Sequence, residues 1–165
     1  MTCTILSSGD EFLTLCRNES EQPFCGIKAI VQEKIWELYQ KGYDRFYVNC
    51  DYGTPMWSAE FILNLKAGNR IELHIMTPYE EQTTDWPEEL RNRYFSIHEK
   101  ADSVTLVNTH YYPFCYQEAD EEMIARSDLL LVFGTENGAP FAEEYARKRK
   151  IPVEYQKIVR KPDLK

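Results

Sequence analysis

The sequence predicts an α/β fold, a three-layer α/β/α sandwich with helices on both faces of a mostly parallel sheet. Three observations predict it. Short apolar, β-branched runs alternate with helical patterns along the chain, and each run is followed by polar or turn residues. The 165 residues suffice to bury a sheet between two helical layers without staples. Parallel strands require crossovers, and right-handed helical crossovers cover both faces of the sheet.

Thr2 to Ser7 reads as the first strand, broken by Ser8-Gly9-Asp10. Residues 10–26 show no clear period. Ile27 to Lys41 carries Ile27, Ile30, Val31, Ile35, Trp36 and Leu38 near helical spacing, and Gly42 closes it. Arg45 to Cys50, Arg70 to Thr77, Ser103 to Val107 and Leu129 to Phe133 are four further strands, rich in Val, Ile, Leu, Phe and Tyr. Helical patterns lie between them at Pro55 to Lys66, Glu88 to Lys100, Gln117 to Arg126 and Ala139 to Lys150. Ile151-Pro152-Val153 starts a last strand. No internal repeat, low-complexity segment or linker divides the chain, so residues 1–165 are expected to form one domain.

The net charge of -8 is unevenly spread. Arg147 to Lys165 holds eight basic and two acidic residues, which leaves 11 basic and 25 acidic residues in the first 146. Nucleic-acid binding requires phosphates to be neutralised by Lys or Arg, so the acidic body argues against it, and the basic end reads as a solvated helix end and tail. Five scattered cysteines without a Cys-x-x-Cys pair exclude a disulfide framework and a zinc knuckle. Met1 to Asp10 show no basic n-region, and no apolar run nears the ~18 residues of a membrane span, so secretion and membrane insertion are not expected. A cytoplasmic location is expected, with no membrane partner, no metal and no resident cofactor.

In open α/β sheets, ligands bind outside the carboxyl ends of the strands, where strand order reverses. The loops there are Ser7-Ser8-Gly9, Asn49 to Thr54, Thr77-Pro78-Tyr79, Asn108-Thr109-His110 and Gly134 to Gly138. The candidate ligand-binding residues are Ser7, Ser8, Cys50, Gly53, Thr54, Pro78, Trp86, Thr109, Gly134 and Gly138. Gly53 permits close backbone approach, Pro55 suits a first helical turn, and the amides of Met56 and Trp57 are then open to an anion. The spacing alone favours the plainer arrangement, in which Thr54 caps the helix with its own hydroxyl. Gly134 and Gly138 before Pro140 admit a phosphate or merely shape a turn. Neither loop matches Gly-x-Gly-x-x-Gly or the Walker pattern.

Catalytic machinery is not evident. His74 lies in a strand, His98 in a helix, and His110 reads as ordinary polarity in a loop. Asp51, Glu60, Glu136 and Glu143 lie closest to the loops and could supply a paired acid and base, although Glu60 better suits a helix ion pair or an exposed position. Trp57 is expected in the core with Phe61 and Leu65, whereas Trp86, after Thr83-Thr84-Asp85, could roof the site.

These loops, in this order, resemble the YpsA-like branch of the SLOG superfamily, a Rossmann-like group related in fold to the DNA-processing protein DprA and to the LOG-type nucleotide hydrolases. The resemblance runs from about residue 27 to 153. Its carriers are Gly53 to Glu60, Thr77-Pro78, Gln82, Trp86, Tyr94, Ala101-Asp102, Tyr112, Met123, Ser127-Asp128, and the Gly138-Ala139-Pro140 turn before Ala146. It implies a Rossmann-like fold, a bacterial or phage source, and a nucleotide or nucleotide-derived ligand at the strand ends, without a transferable enzyme activity. Cys50 replaces the usual glycine and Pro55 the usual acidic residue. Ala119-Asp120 stands where many relatives have Arg-Asn, and Ser7 to Asp10 lacks the common Thr-Gly-x-Arg-Pro form. Only Gly138 and Glu143 echo the LOG-type catalytic loop.

Three functions follow as expectations. The first is binding or sensing of a nucleotide-like small molecule. The second is hydrolysis or transfer at a nucleotide N-glycosidic bond, with Glu60 or Glu143 as acid or nucleophile. The third is a protein-interaction module with a vestigial pocket, for which a homo-oligomer or a protein partner is expected.

Overall fold

A computed structural model describes residues 1–8 and 24–158. Gly9, Asp10, most of the stretch without a clear period, and the tail from residue 159 lie outside the described residues. The elements run β1 (Thr2–Ser7), α1 (Cys25–Gln40), β2 (Arg45–Val48), α2 (Thr54–Leu65), β3 (Glu72–Thr77) and α3 (Glu88–Lys100). They continue with β4 (Ser103–Leu106), α4 (Cys115–Ile124), β5 (Leu129–Phe133), α5 (Pro140–Lys148) and β6 (Val153–Gln156). The strands form one sheet in the order β4-β3-β2-β1-β5-β6, with every pairing parallel. The expected α/β sandwich is therefore present, and its sheet is wholly parallel.

Strand alternation divides the core between the two faces. Leu129, Leu131 and Phe133 of β5 join Cys3, Ile5, Phe46, Val48, Leu73 and Ile75 under α1, α2 and α3. Leu130 and Val132 point the other way, with Leu6 and Met76, against Ala119, Met123 and Ile124 of α4 and Ala142 and Ala146 of α5. Trp57 is buried against Phe24, with ring centroids 5.4 Å apart. Trp36, counted above among the apolar positions of its helix, is 40% exposed, because Ile27, Val31, Ile35 and Leu38 fill the inward face.

Several boundaries have clear causes. Gly42 takes φ 101° after α1, its amide donates to the Tyr39 carbonyl, and the Tyr43 amide donates to the Leu38 carbonyl. That pattern closes the helix with a Schellman turn. β2 ends at Val48 rather than Cys50, because Cys50 takes φ 57° and leaves the extended region. At the opposite ends of the strands, Asp128 accepts from the Thr2 amide and Asp102 from the Leu73 amide, each at 2.8 Å. Lys66 holds Asp102 at 2.6 Å. These two aspartates of the family-like pattern therefore act as sheet anchors, remote from the strand-end loops.

Candidate functional site

Strand order reverses between β1 and β5: the chain steps outward from β1 to β4, then crosses back to place β5 on the other side of β1. The crossover sets the carboxyl ends of β1 and β5 side by side there, where doubly wound sheets bind ligands. A cleft of about 240 Å³ at these ends is lined by Leu6, Ser7, Asn49, Asp51, Pro55, Tyr116, Asp120, Gly138 and Ala139. The end of β1, the loops after β2 and β5, the start of α2 and one flank of α4 contribute.

Each wall has a local explanation. After β2, the left-handed turn at Cys50 swings the chain so that Asp51 faces the cleft while the Cys50 sulfur enters the core, fully buried. The Asn49 side chain accepts from the Asp51 amide at 3.0 Å and steadies the turn. Behind it, Tyr94 donates to Gln82 at 3.1 Å, and Gln82 donates to the Asn49 carbonyl at 3.3 Å. On α4, Cys115, Ala119 and Met123 form the buried stripe, so Tyr116 and Asp120, one position further along, flank it. Tyr116 rests edge-on against Tyr79, with centroids 6.1 Å apart.

The electrostatics are acidic and poorly compensated. Burial pushes the Asp51 carboxyl up to about 7, against a hydrogen bond from the Tyr52 amide. Burial, then the charges of Asp51 and Glu121, push Asp120 up to about 8. Asp120 Oδ1 is sealed from solvent and has no hydrogen-bond partner, and the Thr54 hydroxyl is likewise buried without one. Buried polar atoms are nearly always paired, so the partnerless Asp120 oxygen stands out among the polar groups beside the cleft. No Lys or Arg is among the described residues that line it. Among the described residues, no group of three or more His, Cys, Asp or Glu side chains is placed to hold a metal.

The structure distributes the ten candidate residues unevenly. Ser7 and Gly138 line the cleft. Ser8 lies beneath it, its amide donating to the Phe133 carbonyl at 3.1 Å. Gly134 and Gly138 are small because of Ser8: a Cβ on Gly134 would fall 2.1 Å from Ser8 Oγ, and one on Gly138 would fall 2.4 Å from Ser8 Cβ. Gly53 and Thr54 are buried at the start of α2. The expected cap is corrected here, since Gly53 at φ 90° is the N-cap and no side chain caps the helix. The Met56 amide donates to the Asp51 carbonyl and the Trp57 amide to the Gly53 carbonyl, each at 3.0 Å. Neither amide is left for an anion.

Cys50 meets the cleft through its backbone turn alone, and Pro78 is buried. Trp86 packs edge-on against Tyr52 and Tyr94, with centroids 5.0 and 5.5 Å away, outside the cleft lining. Thr109 is exposed and also outside it.

Two carboxylates proposed for catalysis are otherwise engaged. Glu60 accepts from Arg93 Nε at 3.1 Å and joins α2 to α3. Glu143 is buried and accepts from the Asn137 amide at 3.0 Å, the Ala139 amide at 2.8 Å and the Tyr155 hydroxyl. Burial works to raise its pKa, but these hydrogen bonds outweigh it and hold the carboxyl below its ordinary range. Glu143 thus braces the β5–α5 loop. The sequence reading noted Asp120 only as a departure from the family-like pattern and did not single out Tyr116. Their signal was their one-turn spacing beside the Cys115, Ala119, Met123 stripe.

Comparison with known proteins accords with this architecture. The YspA SLOG family model matches residues 13–158. UPF0398 protein BH1768 of Halalkalibacterium halodurans is 33% identical over 129 residues, covering 74% of this chain and 68% of that protein. UPF0398 protein SaurJH9_1506 of Staphylococcus aureus is 28% identical over 117 residues, covering 68% and 63%. The chain spans about two thirds of the length of these curated relatives. The X-ray structure of TM1055, a structural-genomics target, superposes with a TM-score of 0.57 at 14% identity, covering 92% of this chain and 71% of that one. DNA processing protein A from Helicobacter pylori, solved for its single-stranded DNA binding mode, superposes with a TM-score of 0.59 at 12% identity, covering 94% and 64%. At such identities these two share the fold.

Proposed function

The chain belongs to the YspA SLOG family, and on the geometry of its strand-end cleft we propose that it is a binding or sensing module for a nucleotide-derived small molecule. The observation that carries this reading is the Asp120 carboxyl, which lines the cleft at the point where strand order reverses and has one buried oxygen without a partner. An unpaired buried acceptor costs ~1–3 kcal/mol, which a ligand donor would recover. Ser7, Asn49 and Asp51 supply further polar groups, and the free cysteines Cys3, Cys25, Cys50 and Cys115 suit a reducing, cytoplasmic setting.

The DNA-binding neighbour makes single-stranded DNA a necessary comparison. The cleft argues for the smaller ligand, since two carboxyls without a described Lys or Arg beside them disfavour a phosphate backbone. The test is a thermal-shift screen against nucleotides, nucleotide sugars, ADP-ribose derivatives and a single-stranded oligonucleotide, with Ser7→Trp filling the cleft. Stabilisation by a small molecule that disappears in the variant is the expected result. A flat panel on folded protein rejects the reading and favours a protein-interaction module. DNA binding that persists in the variant favours the nucleic-acid alternative.

One observation supports an enzymatic reading in second place. Asp51 and Asp120 share one cleft and burial raises both carboxyls, to about 7 and about 8, so near neutral pH one can donate a proton while the other accepts one. They replace Glu60 and Glu143 as the candidates for N-glycosidic hydrolysis. In that reaction water adds to the sugar carbon, one carboxylate takes its proton, and the other carboxyl protonates the departing base. Release of free base from a nucleotide panel, abolished in Asp120→Asn while binding survives, would establish it.

A further inference from the structure

The acidic cleft does not end at Asp120. A second groove of about 210 Å³ between α4 and α5 shares Tyr116, Asp120 and Ala139 with it and continues over Pro140, Phe141 and Ala142. The two differ in chemistry. One end offers the carboxyls of Asp51 and Asp120, and the other is an almost wholly apolar slot walled by the Tyr116 side, Pro140 and Phe141. Phe141 is 69% exposed, so its ring is open to a flat partner. The combined space reaches the lower end of the ~300–1,000 Å³ range of small-molecule sites.

Two features define the occupant. The Asp120 carboxyl, one of whose oxygens is buried without a partner, and the Asp51 carboxyl both line the cleft, and paired hydroxyls on a sugar can hydrogen-bond with them. The described lining of both compartments holds Asp, Glu, Asn, Gln, Ser and Tyr but neither Lys nor Arg, so no cation there would neutralise a phosphate. We infer that the ligand is an unphosphorylated ribonucleoside whose sugar hydroxyls donate to Asp51 and Asp120 while its base lies in the groove between α4 and α5. This rests on the binding reading above and narrows it from nucleotides to nucleosides.

The experiment is isothermal titration of the full chain with adenosine, guanosine, cytidine and uridine, each beside its 2′-deoxy form and its 5′-monophosphate. At least one ribonucleoside is expected to bind about tenfold more tightly than both its deoxy form and its monophosphate, the equivalent of ~1.4 kcal/mol. Asp120→Ala should weaken that ribonucleoside about tenfold and narrow the deoxy difference. Phe141→Ala alters an exposed side chain, leaves the core intact, and should weaken ribo and deoxy forms equally. A monophosphate that binds more tightly than its nucleoside, with both losing affinity in Ser7→Trp, overturns the nucleoside inference and leaves the cleft as a nucleotide site. Absence of binding to any of these nucleosides overturns the nucleoside inference, and a thermal-shift panel that is flat as well overturns the binding reading on which it rests. Nucleoside affinity unchanged in Asp120→Ala and Phe141→Ala places the ligand elsewhere and also overturns the inference.

Discussion

At Cys50 a side chain occupies a backbone position that glycine adopts more easily, with φ 57° and its sulfur fully buried. The family-like pattern has glycine there, and the structure supplies the reason. Burial also pushes the Cys50 thiol well above its ordinary pKa, and the Cys3 thiol likewise. Both are therefore expected to resist alkylation in the native state while exposed Cys25 is modified, an order that mass mapping after brief iodoacetamide treatment would check. Asp51 and Asp120 give a second prediction. Their folded pKa values, about 7 and about 8, lie above the ordinary 3.8, so the folded state holds these protons more tightly than the unfolded chain does. The resulting stability is complete below about pH 4 and is lost as pH rises through 7 and 8. Asp120→Asn keeps a neutral group at every pH, so its melting temperature relative to the parent should climb between pH 5 and pH 9. A constant difference across that range would show that Asp120 is not held neutral.

The β5–α5 connection depends on two residues that the sequence marks as site candidates, Glu143 and Gly138. Glu143 closes the loop over the start of α5 by taking the Asn137 and Ala139 amides and the Tyr155 hydroxyl. Glu143→Ala would leave three donors unpaired around a buried site, and a loss of ~2–4 kcal/mol in urea unfolding is expected, since hydrogen bonds to charged groups contribute ~1.5–3 kcal/mol each and share the loss. Gly138→Ala would force a Cβ to within 2.4 Å of Ser8 Cβ and 2.9 Å of the Thr135 carbonyl oxygen. Overpacking of this kind costs ~1–3 kcal/mol, and Ser8→Gly in the same chain should restore part of it. Additive losses in the double variant would refute the contact. The element-level sequence reading succeeded in placing Gly138 at a tight turn. It could not separate phosphate approach from approach to Ser8, because the two demand the same small residue. Glu143 likewise resembled a catalytic acid until its three donors were seen.

Over the whole molecule, stability is expected to follow position in the sheet. β1 and β5 pair along most of their lengths in the interior of the sheet and are buried on both faces, whereas β4 is an edge strand with Val104 and Leu106 each 46% exposed. Native-state hydrogen exchange should therefore be slowest in β1 and β5 and faster in β4, and equal protection across the sheet would contradict this gradient. No helix of the described residues is long and apolar enough to cross a membrane. By itself the sequence determined the alternation of strand and helix, the layers that follow from it, and the loops at which a ligand site could form. These depend on periodicity and turn chemistry within a dozen residues of one another. Only the tertiary structure decided that Asp51 and Asp120 share a cleft, that Glu60 and Glu143 are occupied, and that Thr54 is not a cap. Strand order sets those relations: β5 returns to the side of β1, so residues of β2 and α4 far apart in the chain come to face each other, and burial then raises their carboxyl pKa values. No local pattern encodes a neighbour that the crossover alone brings near.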